Sequence, residues 1–157
     1  KNVFVERQKV ELLEDILMHI VRNCIDHGIE LPDERQEYGK SEEGRIAIDV
    51  HENDEHLVIC VSDDGRGVDF TSLRDNALRT GKITNDEYRT MSDDAAVRLL
   101  FLAGISSRTS VTEISGRGVG MDVIYRKLED IGGSIDVHTE PHKGTVFIIK
   151  MPRNLPR

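Results

Sequence analysis

The chain has 157 residues, a mass of 17.7 kDa and a formal net charge of −8 at pH 7. That length suits one ordinary domain with its own core, and 38 % hydrophobic with 32 % charged residues describes a globular chain rather than a disordered one. The negative charge excludes a general electrostatic grip on nucleic acid or an anionic membrane, and at face value it also disfavours a polyanionic ligand.

No apolar run approaches the roughly 18 residues of a membrane helix, and the start lacks the basic-then-apolar layout of a signal peptide. A first residue that is Lys rather than Met suggests a piece of a longer protein. Val3 and Val5 alternate with polar residues and suggest a short strand. Leu12, Leu13, Ile16, Leu17, Ile20, Val21, Cys24 and Ile25 recur at helical spacing, so a helix is expected from Lys9 to His27, with Gly28 as its C-terminal cap. Residues 31–44, LPDERQEYGKSEEG, read as a polar connection. Ile46, Ile48 and Val50, then Leu57, Ile59 and Val61, alternate as two strands of a hairpin closed by Asn53-Asp54-Glu55. Helices follow over Asp69–Thr80, ended by Gly81, and over Asp93–Phe101, with Ser92 as N-cap. Residues 102–117 carry Gly, Ser and Thr without period and read as a lid. A helix over Val119–Ile131 presents Met121, Ile124, Leu128 and Ile131 on one face. Two strands, Ile135–Thr139 and Thr145–Met151, complete the domain at residue 152, and residues 153–157 read as a linker. Cys24 and Cys60 lie in apolar runs and read as small buried thiols rather than a disulfide framework.

Several short patterns could carry chemistry. His19, Asn23 and Asp26 follow at i, i+4 and i+7, which places them on one rim of the first helix. Taken alone, such a triplet is more often a polar edge with ordinary hydrogen bonds. As a ligand stripe they offer lone pairs, and the neutral Asn carbonyl suits a hard cation that keeps some waters. Asp63-Asp64-Gly65-Arg66-Gly67 follows a strand. An Asp there needs donors for its carboxylate, which an adenine amino group could supply, and glycine lets backbone approach a planar base. The alternative is a plain DxG turn. Ser115-Gly116-Arg117-Gly118-Val119-Gly120 opens a helix, where free N–H groups and the helix dipole favour phosphate. It matches neither GxGxxG after a strand nor a P-loop. Arg108 and Arg117 could bring charge over phosphates or simply face solvent. Lys143-Gly144-Thr145 opens the last strand, where the Thr hydroxyl could bond the adenine-side carboxylate or a water beside it.

The order of these weak signals is specific. It resembles the GHKL ATP-binding superfamily, which holds histidine kinases, type II topoisomerases, MutL and heat-shock chaperones. VRNCIDHGIE, PDERxxxGKxxEG, DDGRGVD and SGRGVGMDV narrow the resemblance to the catalytic domain of CheA-type chemotaxis histidine kinases, over about Val10–Pro152. In the lid, Ala103-Gly104-Ile105-Ser106-Ser107 departs from the Pro-Gly-Phe-Ser-Thr of that family.

The resemblance implies an α/β two-layer sandwich, with a mixed, mostly antiparallel sheet and helices on one face. It implies Mg-ATP as ligand and transfer of the γ-phosphoryl group to a histidine on a separate phosphotransfer domain. Carried over by motif, Asn23 would ligate Mg²⁺ with His19 near the metal or phosphates, and Asp26 and His27 complete the first box. Asp63 would accept the adenine amino group, and Gly65 and Gly67 would line the base. Ser115, Gly116, Arg117, Gly118, Val119, Gly120 and Met121, with Arg108, would meet the phosphates, and Thr145 would support the adenine end. Response regulators, receptors and coupling proteins would be met through other domains, in the cytoplasm, and this piece would be monomeric. The competing classes are an ATP hydrolase of the same superfamily and a scaffold domain without catalysis.

Overall fold

The computed structural model describes residues 7–102 and 120–153. The chain divides into two compact units, one of Lys1–Val68 with Lys127–Arg157, the other Asp69–Arg126.

The first unit holds a four-stranded sheet made of β1 (Ile46–Glu52), β2 (His56–Asp63), β3 (Ser134–Glu140) and β4 (Gly144–Pro152). The order is β1-β2-β4-β3, and every described pairing is antiparallel, in line with the mostly antiparallel sheet expected. The expected Val3/Val5 strand lies outside the described residues. Alternation sorts the strands into two faces. Register lines up Val61, Phe147 and Val137 across β2, β4 and β3, and Ile59, Ile149 and Ile135 likewise, all of them buried. Helix α1 (Arg7–Asn23) adds Leu12, Ile16 and Ile20 to the buried set, followed by Cys24 one step beyond its end. Each such aliphatic side chain stabilises the fold by about 1.5–3 kcal/mol. On the edge strand β1 the alternation persists but burial does not, and Ile48 and Val50 are exposed. Cys60 sits on the opposite face from Ile59 and Val61 and is only half-buried, unlike Cys24.

The first helix does not run evenly to His27. It passes at Cys24–Gly28 into one π-helical turn, closed by the Ile29 N–H on the Cys24 carbonyl at 2.7 Å. Gly28 is not a left-handed cap. Its carbonyl accepts instead from the Arg66 N–H at 2.8 Å, a tertiary bond that sequence periodicity does not contain. The expected connection also holds a short helix, α2 (Pro32–Glu37), with Pro32 in its first turn beside Asp33 and Glu34.

In the second unit, α3 (Phe70–Arg79) starts at Asp69, whose carboxylate accepts from the Ser72 N–H at 3.0 Å. That bond holds the Asp69 carboxyl below its ordinary pKa. Gly81 ends this helix in the left-handed region, as expected. Helix α4 (Asn85–Thr90) was not anticipated. It buries no residue, so it has no apolar period, and its one sequence sign is the capping box of Thr84 and Glu87. The expected helix over Asp93–Phe101 is a single turn, α5 (Asp93–Ala96), followed by a 3₁₀ turn (Val97–Phe101). Its buried residues, Ala96 and Leu99, are three apart, which suits three residues per turn. Helix α6 (Met121–Asp130) begins in this unit, with Met121, Ile124 and Leu128 buried as their spacing predicts.

Candidate functional site

Asp63 is the last residue of β2, and it is the chemical oddity of the first unit. The core face of β2 ends there in a carboxylate that is 8 % exposed. Strand pairing fixes its backbone from both sides, against Ile46 and Thr145. Its Oδ1 accepts the Gly65 N–H at 2.9 Å. The Cys24 thiol lies against the same carboxylate, and burial together with that charge pushes the thiol pKa up to about 12.

Backbone crowds around this acid. A Cβ on Gly65 would overlap the Gly28 carbonyl oxygen, and a Cβ on Gly28 would stand 3.4 Å from Asp63 Oδ2. Only glycine allows such approach of the helix end to the turn. Gly67 has φ +79° and sits against the Glu140 carbonyl. Thr145 is buried beside Asp63, and its hydroxyl meets that of Thr139 at 3.2 Å. Thr139 also accepts the Val68 N–H at 2.9 Å, so it ties the glycine turn to the last hairpin. Thr139 was not singled out in the sequence, since a Thr in a strand carries no signal of its own.

The other candidates fall as follows. His19 and Asn23 are half-buried on α1, with Asn23 at its last position. Asp26 and His27 lie in the π turn and are exposed. Gly120 and Met121 stand at the start of α6, where the Gly120 carbonyl accepts from the Val123 and Ile124 N–H groups at 3.1 and 3.2 Å. Arg108, Ser115, Gly116, Arg117, Gly118 and Val119 lie outside the described residues. Among the described residues, no three His, Cys, Asp or Glu side chains gather where they could hold a metal ion.

A second feature involves residues that the sequence offered as motif positions in a polar connection but to which it gave no role. Arg35 on α2 is buried to 1 %. Its guanidinium donates to Asp64 Oδ2 at 2.9 Å, to Glu30 Oε2 at 3.1 Å and to the Ser41 carbonyl at 2.6 Å. Lys40 donates to Glu30 Oε1 at 2.7 Å and to the Asp64 and Gly65 carbonyls, each at 2.8 Å. Two cations thus meet two carboxylates, and the charges cancel locally. Burial raises the Glu30 and Asp64 pKa values, but hydrogen bonds from Lys40 and Arg35 outweigh it, and both groups end below their ordinary values. The Asp64 hydrogen bond in turn raises Arg35 above its ordinary value. Carboxylates with depressed folded-state pKa values contribute stability that is complete above the unfolded values, 4.5 for Glu and 3.8 for Asp. That stability is lost as pH falls through the lower folded values. Thermal melts between pH 6 and pH 3 should therefore show a falling melting temperature below about pH 4.5. The slope should be shallower in Glu30→Gln, which has one fewer such group.

The first unit thus sets a buried acid at a strand end, close-packed glycines around it and a helix that ends on Asn within an α/β fold. Over residues 9–155 the chain matches, and belongs to, the family of histidine kinase-, DNA gyrase B- and HSP90-like ATPases. Within it, the chain is similar to the chemotaxis protein CheA of Bacillus subtilis, at 38 % identity over 96 % of this chain and 22 % of that protein. It is similar as well to CheA of Halobacterium salinarum, at 39 % over 96 % of this chain and 23 % of that one. A gliding motility regulatory protein of Myxococcus xanthus is 41 % identical over 98 % of this chain and 20 % of its own length. The chain thus spans about a fifth of the curated relatives it matches.

Proposed function

We propose that this chain is the ATP-binding catalytic domain of a CheA-like two-component histidine kinase. It binds Mg-ATP and supports transfer of the γ-phosphoryl group to a histidine on a separate phosphotransfer domain. The observation that carries this reading is Asp63. Its carboxylate is buried at a strand end against backbone that only glycine permits, with the Gly65 N–H on Oδ1, and its acceptor capacity suits a further donor such as the adenine amino group. Membership of the ATPase family and the order of the boxes support it.

Asp63 would select the base by its 6-amino group, Gly65 and Gly67 would admit the ring, and Thr145 would hold the strand end beside the acid. Asn23, a neutral oxygen donor at the end of α1, would be the protein's ligand for Mg²⁺, with His19 one turn before it. Phosphate oxygens and waters would fill the other positions, as magnesium usually arranges. When bound, the metal supplies charge neutralisation on the phosphates, which answers the chain's net charge of −8. The glycine-rich segment from Ser115 to Gly120 would offer N–H groups to the phosphates, and Arg108 and Arg117 positive charge. The domain's work is positioning and electrostatics, since the acceptor imidazole is itself the nucleophile. Response regulators would receive the phosphoryl group from the phosphotransfer domain. Receptors and coupling proteins would act through other domains of a cytoplasmic kinase.

The test is transfer from labelled ATP to a purified phosphotransfer domain. Acid-labile phosphohistidine that depends on Mg²⁺ is expected. Release of free phosphate alone would indicate a hydrolase, and no nucleotide binding at all would leave a scaffold. In Asn23→Asp, transfer should fall about 100-fold or more, while affinity for ATP without metal changes less than about threefold. Equal losses in both would remove Asn23 from the metal.

A further inference from the structure

We propose that Glu30, Arg35 and Lys40 are positioning residues that aim the Asp63 carboxylate, and that they set the preference for a base bearing an exocyclic amino group. The inference rests on the adenine reading of Asp63. Up to Asp63 the backbone is held by β-pairing on both sides; Asp64 keeps one backbone bond, its N–H on the Arg45 carbonyl at 3.2 Å, and beyond it the chain leaves the sheet. The Gly65 N–H that occupies Asp63 Oδ1 belongs to that departing segment. What fixes residues 64 and 65 therefore helps to fix which way the acid faces, together with the Cys24 thiol on the same carboxylate.

The charge cluster grips those two residues. Lys40 holds both of their carbonyls, and Arg35 holds the Asp64 carboxylate through both oxygens, at 3.2 and 2.9 Å. The Arg45 N–H adds a third donor to the Asp64 carboxylate, on Oδ1 at 2.9 Å. Glu30, with a fully buried carboxylate, binds one cation on each oxygen. It stands two residues after Gly28, whose carbonyl takes the Arg66 N–H. The cluster thus joins the end of the π turn to the glycine turn, the two backbone walls around Asp63. Buried ion pairs add little net stability, because desolvation offsets their attraction, but they hold geometry tightly. Two parallel N–H donors in a rigid fork do so better than a point charge.

The experiment compares ATP with inosine triphosphate, which carries an oxo group in place of the 6-amino group, by calorimetry on this chain. Wild type should prefer ATP. In Lys40→Met and in Arg35→Lys, affinity for ATP should fall about tenfold while that for inosine triphosphate changes less than about twofold. A purely structural role would lower the melting temperature and the folded fraction and leave the ratio of the two dissociation constants unchanged, which overturns the proposal. Lys40→Met carries the test if Arg35→Lys does not fold, because the Lys40 side chain already reaches solvent at 15 % exposure. Asp63→Ala separates the two ideas. If it loses the ATP preference while the Lys40 and Arg35 variants keep theirs, positioning fails and the adenine reading stands. If wild type itself shows no preference, the adenine reading fails and takes the positioning role with it.

Discussion

Asp63→Ala should bind ATP about 10- to 100-fold more weakly than the native chain, and Asp63→Asn nearly as weakly. The estimate follows from removing a hydrogen bond to a charged acceptor, worth roughly 1.5–3 kcal/mol, at about 1.4 kcal/mol per factor of ten. Asn keeps the shape but turns one acceptor into a donor, which would face the adenine amino group as a like partner. Calorimetry that returned unchanged affinity would remove Asp63 from the base. The same variant has a readout independent of nucleotide. The Cys24 pKa of about 12 owes most to burial and the rest largely to the Asp63 charge and hydrogen bond. Without the acid, that thiol should titrate at lower pH, though still above its ordinary value of 9.0. Reaction rate against pH with a small thiol reagent measures the change.

Gly144→Ala should be the most damaging small substitution in the sheet. Gly144 begins β4 at φ +124°, a conformation that side chains rarely adopt. A Cβ there would overlap the Asp63 carbonyl oxygen, which is backbone and cannot swing aside. Strain and overlap together should cost about 3–5 kcal/mol. For a chain of this length that is a fall of roughly 10 °C in melting temperature. Gly39→Ala is the control. It too has positive φ, +70°, but a Cβ would meet nothing within 4 Å. It should lose about 1 kcal/mol from the backbone alone. Equal losses in the two variants would show that the close approach at Asp63 is not tight.

The hairpin of β1 and β2, the last two strands and the long helices were legible because their apolar residues recur at periods of two and 3.6 over enough residues to be read. Short elements were not. Helices α2 and α4 have six residues each, and α4 buries none of them, so neither has a readable period. The π turn at Cys24–Gly28 escaped for another reason: its Gly28 carbonyl serves Arg66, some forty residues on in the chain. Within the site, Asp63 and its glycines could be picked out because an acid after a strand and a run of glycines are unusual. Thr139 could not, since the bond that gives it a role comes from Val68, 71 residues away in the chain.

By itself the sequence determined the family, the four described strands and the long helices, and it singled out the acid and the glycines of the candidate site, since these rest on residue type and local spacing. It also gave a net charge that counted against a polyanion. Only the tertiary structure decided where charge acts. Arg35 and Lys40 read as part of a solvated connection, yet they are drawn inward by Glu30 and Asp64, and the four charges cancel where they stand. Ion pairing depends on distance and burial, and both are fixed by folding rather than by a sum over the chain.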